Sequence, residues 1–274
     1  PDTTVPGAAS RMGRLRAIAR TLFDQAMRST KTCEFDADAP KAWYFRSAVN
    51  LAQVLIQDQD PAQARAVIDE AVDRVGSFSG LSPIDRRFAQ IARAEAFRAL
   101  EEQGEAESIY RSQHGDSPRG HLGLGRLLFE TNRVDESIEH LRRAAETAKL
   151  SVGEETTLSE ALLTLASALL KTSTPRIDEA EAALREYQRV LQDHPDGLYV
   201  KGLIAFEQEK YEEARNLFRR VHRLVPEDRP TLVKLAETLQ VLGDAAGVEE
   251  ARTKIREIEA AQLERRRQMA ETVP

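Results

Sequence analysis

The chain holds a single cysteine, Cys33, among 274 residues. One thiol excludes an internal disulfide and is too few for a thiolate zinc site. Aromatic residues make up only 5% of the chain, so packing must rest on small and aliphatic side chains. No apolar run approaches the roughly 18 residues of a membrane-spanning helix. The longest candidate, residues 162–170, is interrupted by Thr164 and Ser167. A basic excess is missing too, since the net charge is −6 with both signs interspersed. Without a positive stripe there is no phosphate attraction to drive nucleic-acid binding. No stretch alternates apolar and polar residues with period two, so strands are not expected.

What the chain does have is a recurring pattern. Gly202 is followed by Ala214, Phe218 and Val221, with Pro226 beyond. Gly125 is followed in the same way by Ser137, Leu141 and Ala144, and Ala52 by Ala64, Ile68 and Ala71. A small residue is answered twelve positions later by another, then by apolar residues four and seven further on. Ala94 with Ala106 gives a further copy at the same spacing, while Ala166 with Ala180, where the turn is about two residues longer, and Ala236 with Ala251 stand fourteen and fifteen apart. At 3.6 residues per turn, spacings of 3, 4 and 7 put side chains on one helical face. The small residues then mark close helix crossings, and the larger ones fill the space between one hairpin and the next. Pro226 and Pro118 are read as stops at the ends of second helices.

The expected helix pairs are 41–57 with 61–75, 83–101 with 104–114, 118–131 with 134–149, 155–171 with 176–192, 197–208 with 211–224, and 229–242 with 248–272. Residues 1–10 read as a loose lead-in and 31–40 as a loop. Between them Ala19, Phe23 and Ala26 mark the second helix of an incomplete hairpin over 11–30. The repeat domain is thus placed at 11–260, with about six helix pairs plus a half-repeat, and residues 248–274 form a charged capping helix and tail. One such hairpin cannot bury its own apolar face, so stability must come from stacking on neighbours.

With a period near 34, this pattern resembles the tetratricopeptide repeat family. Gly202, Ala214, Phe218 and Pro226 match its pattern directly, as do Leu124, Gly125 and Leu128 with Ser137, and the resemblance covers roughly residues 40–260. It implies an all-α, right-handed superhelical solenoid of stacked antiparallel helix pairs. It also implies a non-catalytic scaffold whose first helices line a concave groove for a peptide or partner helix. In that register the groove positions lie three before, one after and four after each small residue of a first helix. They select Ile91, Glu95 and Arg98; Leu122, Arg126 and Phe129; Leu163, Ser167 and Leu170; and Tyr199, Leu203 and Phe206. The expected ligand is an apolar or amphipathic segment, with Arg98, Arg119 and Arg126 meeting acidic or C-terminal groups. The competing reading makes several of these residues core. Some family members clamp a terminal carboxylate with Lys and Asn, but the matching positions here include Val49, Gln53, Leu122, Arg126, Tyr199 and Leu203. That departs from the clamp.

Other chemistry is set aside. Gly120, Gly123 and Gly125 look like a phosphate loop, but such a loop must follow a strand and open a helix. Histidines 114, 121, 140, 194 and 222 lack metal-ligand spacing, and all but His121 are assigned to turns or second-helix surfaces. Arg265, Arg266 and Arg267 are flanked by Glu264 and Glu271, so the expectation includes no nucleic acid, no membrane span, no metal and no cofactor. The expected partner is a protein or peptide; another domain of the same protein or a second copy is among the candidates. The start without Met or leader is read as a piece of a larger protein. The 31 Arg against 8 Lys suggest a GC-rich source genome; the larger protein is expected to be bacterial, and a cytoplasmic place is favoured over a periplasmic one. The alternative is a peptide-responsive module controlling an attached signalling or DNA-binding domain.

Overall fold

A computed structural model describes residues 21, 25, 38–57, 60–75, 82–113, 115 and 117–271. Among them there are twelve helices and no strand: α1 Asp38–Gln57, α2 Pro61–Val75, α3 Pro83–Ala99, α4 Gln103–Gln113, α5 Pro118–Glu130, α6 Val134–Lys149, α7 Glu155–Leu170, α8 Ile177–Val190, α9 Pro195–Glu207, α10 Tyr211–Leu224, α11 Arg229–Val241 and α12 Ala245–Glu271. The lead-in over 1–10, the half-repeat over 11–30 and Cys33 lie outside the described residues, apart from helical Thr21 and Gln25. Of the expected loop over 31–40, residues 38–40 belong to α1, which starts at Asp38, and residues 31–37 lie outside the described residues. The chain divides into two compact units, residues 1–127 and 128–274.

In the first unit α1 packs on α2 and α3, and α3 packs on α4. Tyr44, Ala48, Leu51, Ala52 and Leu55 of α1 meet Ala64, Ile68 and Ala71 of α2 and Ala89, Ala92 and Ala96 of α3. The many alanines let the backbones approach closely, which is how a chain poor in aromatics still reaches close packing. In the second unit each of α6 to α12 packs on its neighbour in sequence, and α9 also touches α7 and α11. Ala205, Ala214, Phe218, Leu235, Leu239 and Val248 form a core there. Full enclosure of a side chain the size of Phe218 contributes roughly 2–3 kcal/mol.

Most of the small residues of the pattern are enclosed. Ala52, Ala64, Ala94, Ala106, Ser137, Ala166, Ala180 and Ala214 are fully enclosed, Ala251 nearly so, and Gly125 and Gly202 are buried. A Cβ at Gly202 would stand 2.6 Å from Cε1 of Phe218. Ala236 is only half-buried and Pro226 is exposed in the connection after α10. Pro118 does not end a helix as expected. It opens α5, where Ser117 Oγ accepts the Gly120 N–H at 3.3 Å, because proline fits the first turn of a helix at no hydrogen-bond cost. Pro195 opens α9 in the same way, two residues earlier than expected, with His194 as its N-cap.

The turns inside the pairs share one closure. Glu101, Asn132, Glu209 and Gly243 have φ of 62°, 63°, 59° and 75°, each seven positions after Ala94, Gly125, Gly202 and Ala236. The next N–H then donates five residues back: Glu102 to Phe97 at 2.9 Å, Arg133 to Leu128 at 2.8 Å, Lys210 to Ala205 at 2.8 Å and Asp244 to Leu239 at 2.9 Å. This left-handed C-cap reverses the chain within a few residues. Between α7 and α8 the loop is longer, and Arg176 N–H reaches back to the Leu169 carbonyl at 3.0 Å.

Candidate functional site

In the first unit α1, α3 and α5 are the first helices of successive pairs, and their charged and aromatic side chains surround a cavity of ≈ 210 Å³. Its wall includes Arg46, Val49 and Gln53 of α1, Asp85 and Phe88 of α3, and Arg119 of α5. Ser82 caps α3 by accepting the Asp85 N–H at 3.2 Å and donates its hydroxyl back to Asp85 Oδ2 at 2.7 Å. Arg46 Nε donates to Asp85 Oδ1 at 2.7 Å, tying α1 to α3. Burial alone would raise the Asp85 carboxyl, but the bonds from Arg46 and Ser82 and the arginine's charge outweigh it and hold it below its ordinary value. Phe88 is 37% exposed, and the Arg119 guanidinium lies 5.0 Å above its ring. Two turns further along α3, Glu95 pairs with Arg98 at 3.7 Å and accepts the Tyr110 hydroxyl at 3.3 Å.

The second unit repeats the motif of a cation over an aromatic ring between neighbouring first helices. Lys171 Nζ, at the end of α7, stands 4.9 Å from the Phe129 ring centre in the last turn of α5. Lys234 Nζ of α11 stands 5.6 Å from the Phe206 ring of α9. Tyr199 stacks at a tilt against Phe218, 5.8 Å between centroids, and its hydroxyl is pushed up to about 12 by burial and then by Asp228 and Glu237.

The groove positions read from sequence divide on inspection. Ile91, Leu122 and Leu170 are only 6%, 6% and 8% exposed and belong to the core, because three residues before or four after a seam residue can point into the neighbouring hairpin. Arg98, Arg119, Arg126, Phe129, Leu163, Ser167, Tyr199, Leu203 and Phe206 are half-buried. Tyr199, Leu203 and Phe206 also pack on the second unit's core, so they serve stability as well as surface. Phe88, Arg46, Lys171 and Lys234 were missed. The position six before each seam residue holds Arg46, Phe88 and Arg119, so one more helical turn in the register would have found the first two.

The glycine run at 120–125 lies within α5, which rules it out as a phosphate loop. His121, also in α5, is buried, its Nε2 2.8 Å from the Gly115 carbonyl. His194 is exposed, while His140 and His222 are half-buried and His114 is outside the described residues. Among the described residues no group of three or more His, Cys, Asp or Glu is placed to hold a metal, and no helix is long and apolar enough to cross a membrane.

Antiparallel helix pairs with enclosed small residues at their seams, repeated along an all-α chain, define a helical-repeat solenoid of the interaction-scaffold class. Residues 92–151 and 163–229 match the sequence model of the tetratricopeptide repeat, so the chain carries repeats of that family. Its fold is similar to that of the Pseudomonas aeruginosa pilF protein, at 16% identity and a TM-score of 0.57 over 83% of this chain and 97% of that one. PilW, a widely conserved type IV pilus biogenesis factor, is similar at 20% identity and a TM-score of 0.59, over 77% of this chain and 92% of that one. A chain of the Cut9-Hcn1 hetero-tetramer of the APC/C gives 14% identity and a TM-score of 0.63, over 81% of this chain and 43% of that one. No curated protein matches the chain by sequence. At these identities the likeness is one of fold. Tetratricopeptide repeats generally serve as non-enzymatic protein-interaction scaffolds.

Proposed function

We propose that this protein is a non-catalytic scaffold that binds an acidic, amphipathic peptide or helix on the first-helix face of its N-terminal unit. The observation that carries the reading is Arg119 over the 37% exposed Phe88 ring, beside Arg46 and the ≈ 210 Å³ cavity. An exposed aromatic ring offers an apolar anchor for a leucine or phenylalanine of the partner, and the guanidinium offers a planar fork for a carboxylate one turn away. Four arginines, Arg46, Arg98, Arg119 and Arg126, share this row with two acids, Asp85 and Glu95, so the local balance favours a negative partner even though the whole chain is acidic.

The test is isothermal titration with a helical peptide carrying leucines on one face and glutamates beside them, against its lysine-substituted counterpart. The glutamate peptide should bind at least about tenfold more tightly, and the Phe88→Ala/Arg119→Gln double variant should remove that preference with helical circular dichroism unchanged. Equal affinity for both peptides, or an unaffected double variant, would sink the reading. Phe88 is chosen over Phe206 because Phe206 packs on the core and 5.3 Å from Tyr211, so its loss would confuse folding with binding.

A further inference from the structure

A second cavity, of ≈ 290 Å³, opens in the C-terminal unit between the start of α7, the end of α8 and the start of α9. Its floor is apolar: Leu163 is half-buried, and Val190 and Leu191 are 41% and 40% exposed. Its charged rim is acidic, formed by Glu155, Glu160 and Asp196, and neither Lys nor Arg lines it among the described residues. At its edge His194 Nδ1 stands 3.4 Å from Asp196 Oδ2.

Tyr187 also lines this cavity. It is only 1% exposed, and its hydroxyl meets no hydrogen-bonding group among the described residues. A buried polar group without a partner costs about 1–3 kcal/mol, so an unpaired phenol calls for an explanation beyond packing. The ring does have a packing role, lying so close to Gly197 that a Cβ there would be 2.6 Å from Cε1. Phenylalanine would fill that role equally well. The hydroxyl is pushed up to about 12, by burial and then by the Asp196 charge, so it stays a neutral phenol at working pH, able to accept from a cation.

We propose that this cavity receives a basic side chain of a partner segment, its methylene stem on Leu163, Val190 and Leu191 and its cationic head between the Tyr187 hydroxyl and the carboxylates of Glu155 and Asp196. A long aliphatic stem ending in a cation matches an apolar floor with an acidic rim, as lysine and arginine do when they lie along apolar surface. An acidic head would instead face like charges on three sides. This site stands apart from the acidic-peptide surface of the N-terminal unit, and either can fail without the other.

The experiment titrates the whole, isotopically labelled protein with the capped pentapeptide Ac-Ala-Leu-Lys-Leu-Ala-NH2, and with versions carrying norleucine or glutamate in place of the lysine, reading backbone amide shifts. The lysine peptide should bind about tenfold more tightly than the norleucine one, with the largest shifts around residues 155–163 and 187–197. Tyr187→Phe should cut the lysine preference by about threefold to fivefold without lowering the melting temperature. Glu155→Gln/Asp196→Asn, both at exposed positions, should abolish the preference. Equal binding of lysine and norleucine peptides, tighter binding of the glutamate peptide, or shifts confined to residues outside this cavity would each overturn the proposal.

Discussion

Tyr110 and Tyr187 hold the same kind of place in the two units. Each belongs to a second helix, is enclosed to within 1%, and presses its ring on a glycine of the following first helix, Gly123 for Tyr110 and Gly197 for Tyr187. Their hydroxyls fare differently. The Tyr110 hydroxyl donates to Glu95 at 3.3 Å, and its pKa is raised well above the ordinary value by burial and then by that carboxylate. The Tyr187 hydroxyl has no such partner among the described residues, and its residue lines a cavity. One packing solution has been used twice, with the polar atom serving the fold in the first case and left for something else in the second. A buried aromatic explained by packing can therefore still carry a polar atom that packing does not explain.

The largest effect that would sharpen this contrast comes from the glycines. A Cβ at Gly123 would fall 2.2, 2.6 and 2.9 Å from three atoms of the Tyr110 ring, whereas at Gly197 only one ring atom, at 2.6 Å, comes under 3 Å. Gly123→Ala should therefore cost about 3 kcal/mol by overpacking. Gly197→Ala should cost about 1 kcal/mol, because the Tyr187 ring can tilt toward its cavity. Urea denaturation of the two variants measures the difference, and equal losses would break the comparison.

Next come the hydroxyls themselves. Tyr110→Phe should lose about 1 kcal/mol, since it removes a buried donor from Glu95. Tyr187→Phe should leave stability unchanged or slightly raised, because it removes an unpaired polar atom. A loss at Tyr187 equal to that at Tyr110 would show that its hydroxyl is structurally engaged after all.

The smallest effect concerns acid, and it belongs to the N-terminal unit through Arg46 and Asp85. Because the folded Asp85 carboxyl is held below its ordinary 3.8, its contribution is complete above that value and is lost as pH falls through the lower, folded one. Asp85→Asn should cost about 1 kcal/mol at neutral pH, and the gap to the unaltered protein should close on acidification below about pH 4. Denaturation midpoints at a series of pH values provide the check. A gap that stayed constant would mean that the ion pair does not stabilise this unit.

Much of the architecture could be read from residue order. The seam residues at 52, 64, 94, 106, 166, 180 and 214 are enclosed because a helix repeats its faces every few residues, and that period is written in the chain itself. The left-handed turn residues were regular too, seven after Ala94, Gly125, Gly202 and Ala236, but went unread because only Asn132 and Gly243 are types that favour positive φ. Glu101 and Glu209 adopt it without the usual sequence signal, held by the hydrogen bonds that close the turn. The candidate surfaces were less legible. Ile91 and Leu122 share a helix face with residues that stay half-exposed, and one helix alone does not show how deeply a neighbour covers that face.

The order of residues by itself determined that the chain would be helical, paired and closely packed at small side chains, since these follow from local periodicity and from which groups can fit at a crossing. Only the tertiary structure decided which ring lies against which glycine, which arginine covers Phe88 and which tyrosine hydroxyl goes without a partner. Those outcomes depend on contacts between residues distant along the chain, where displacements of about an ångström decide whether a hydrogen bond forms.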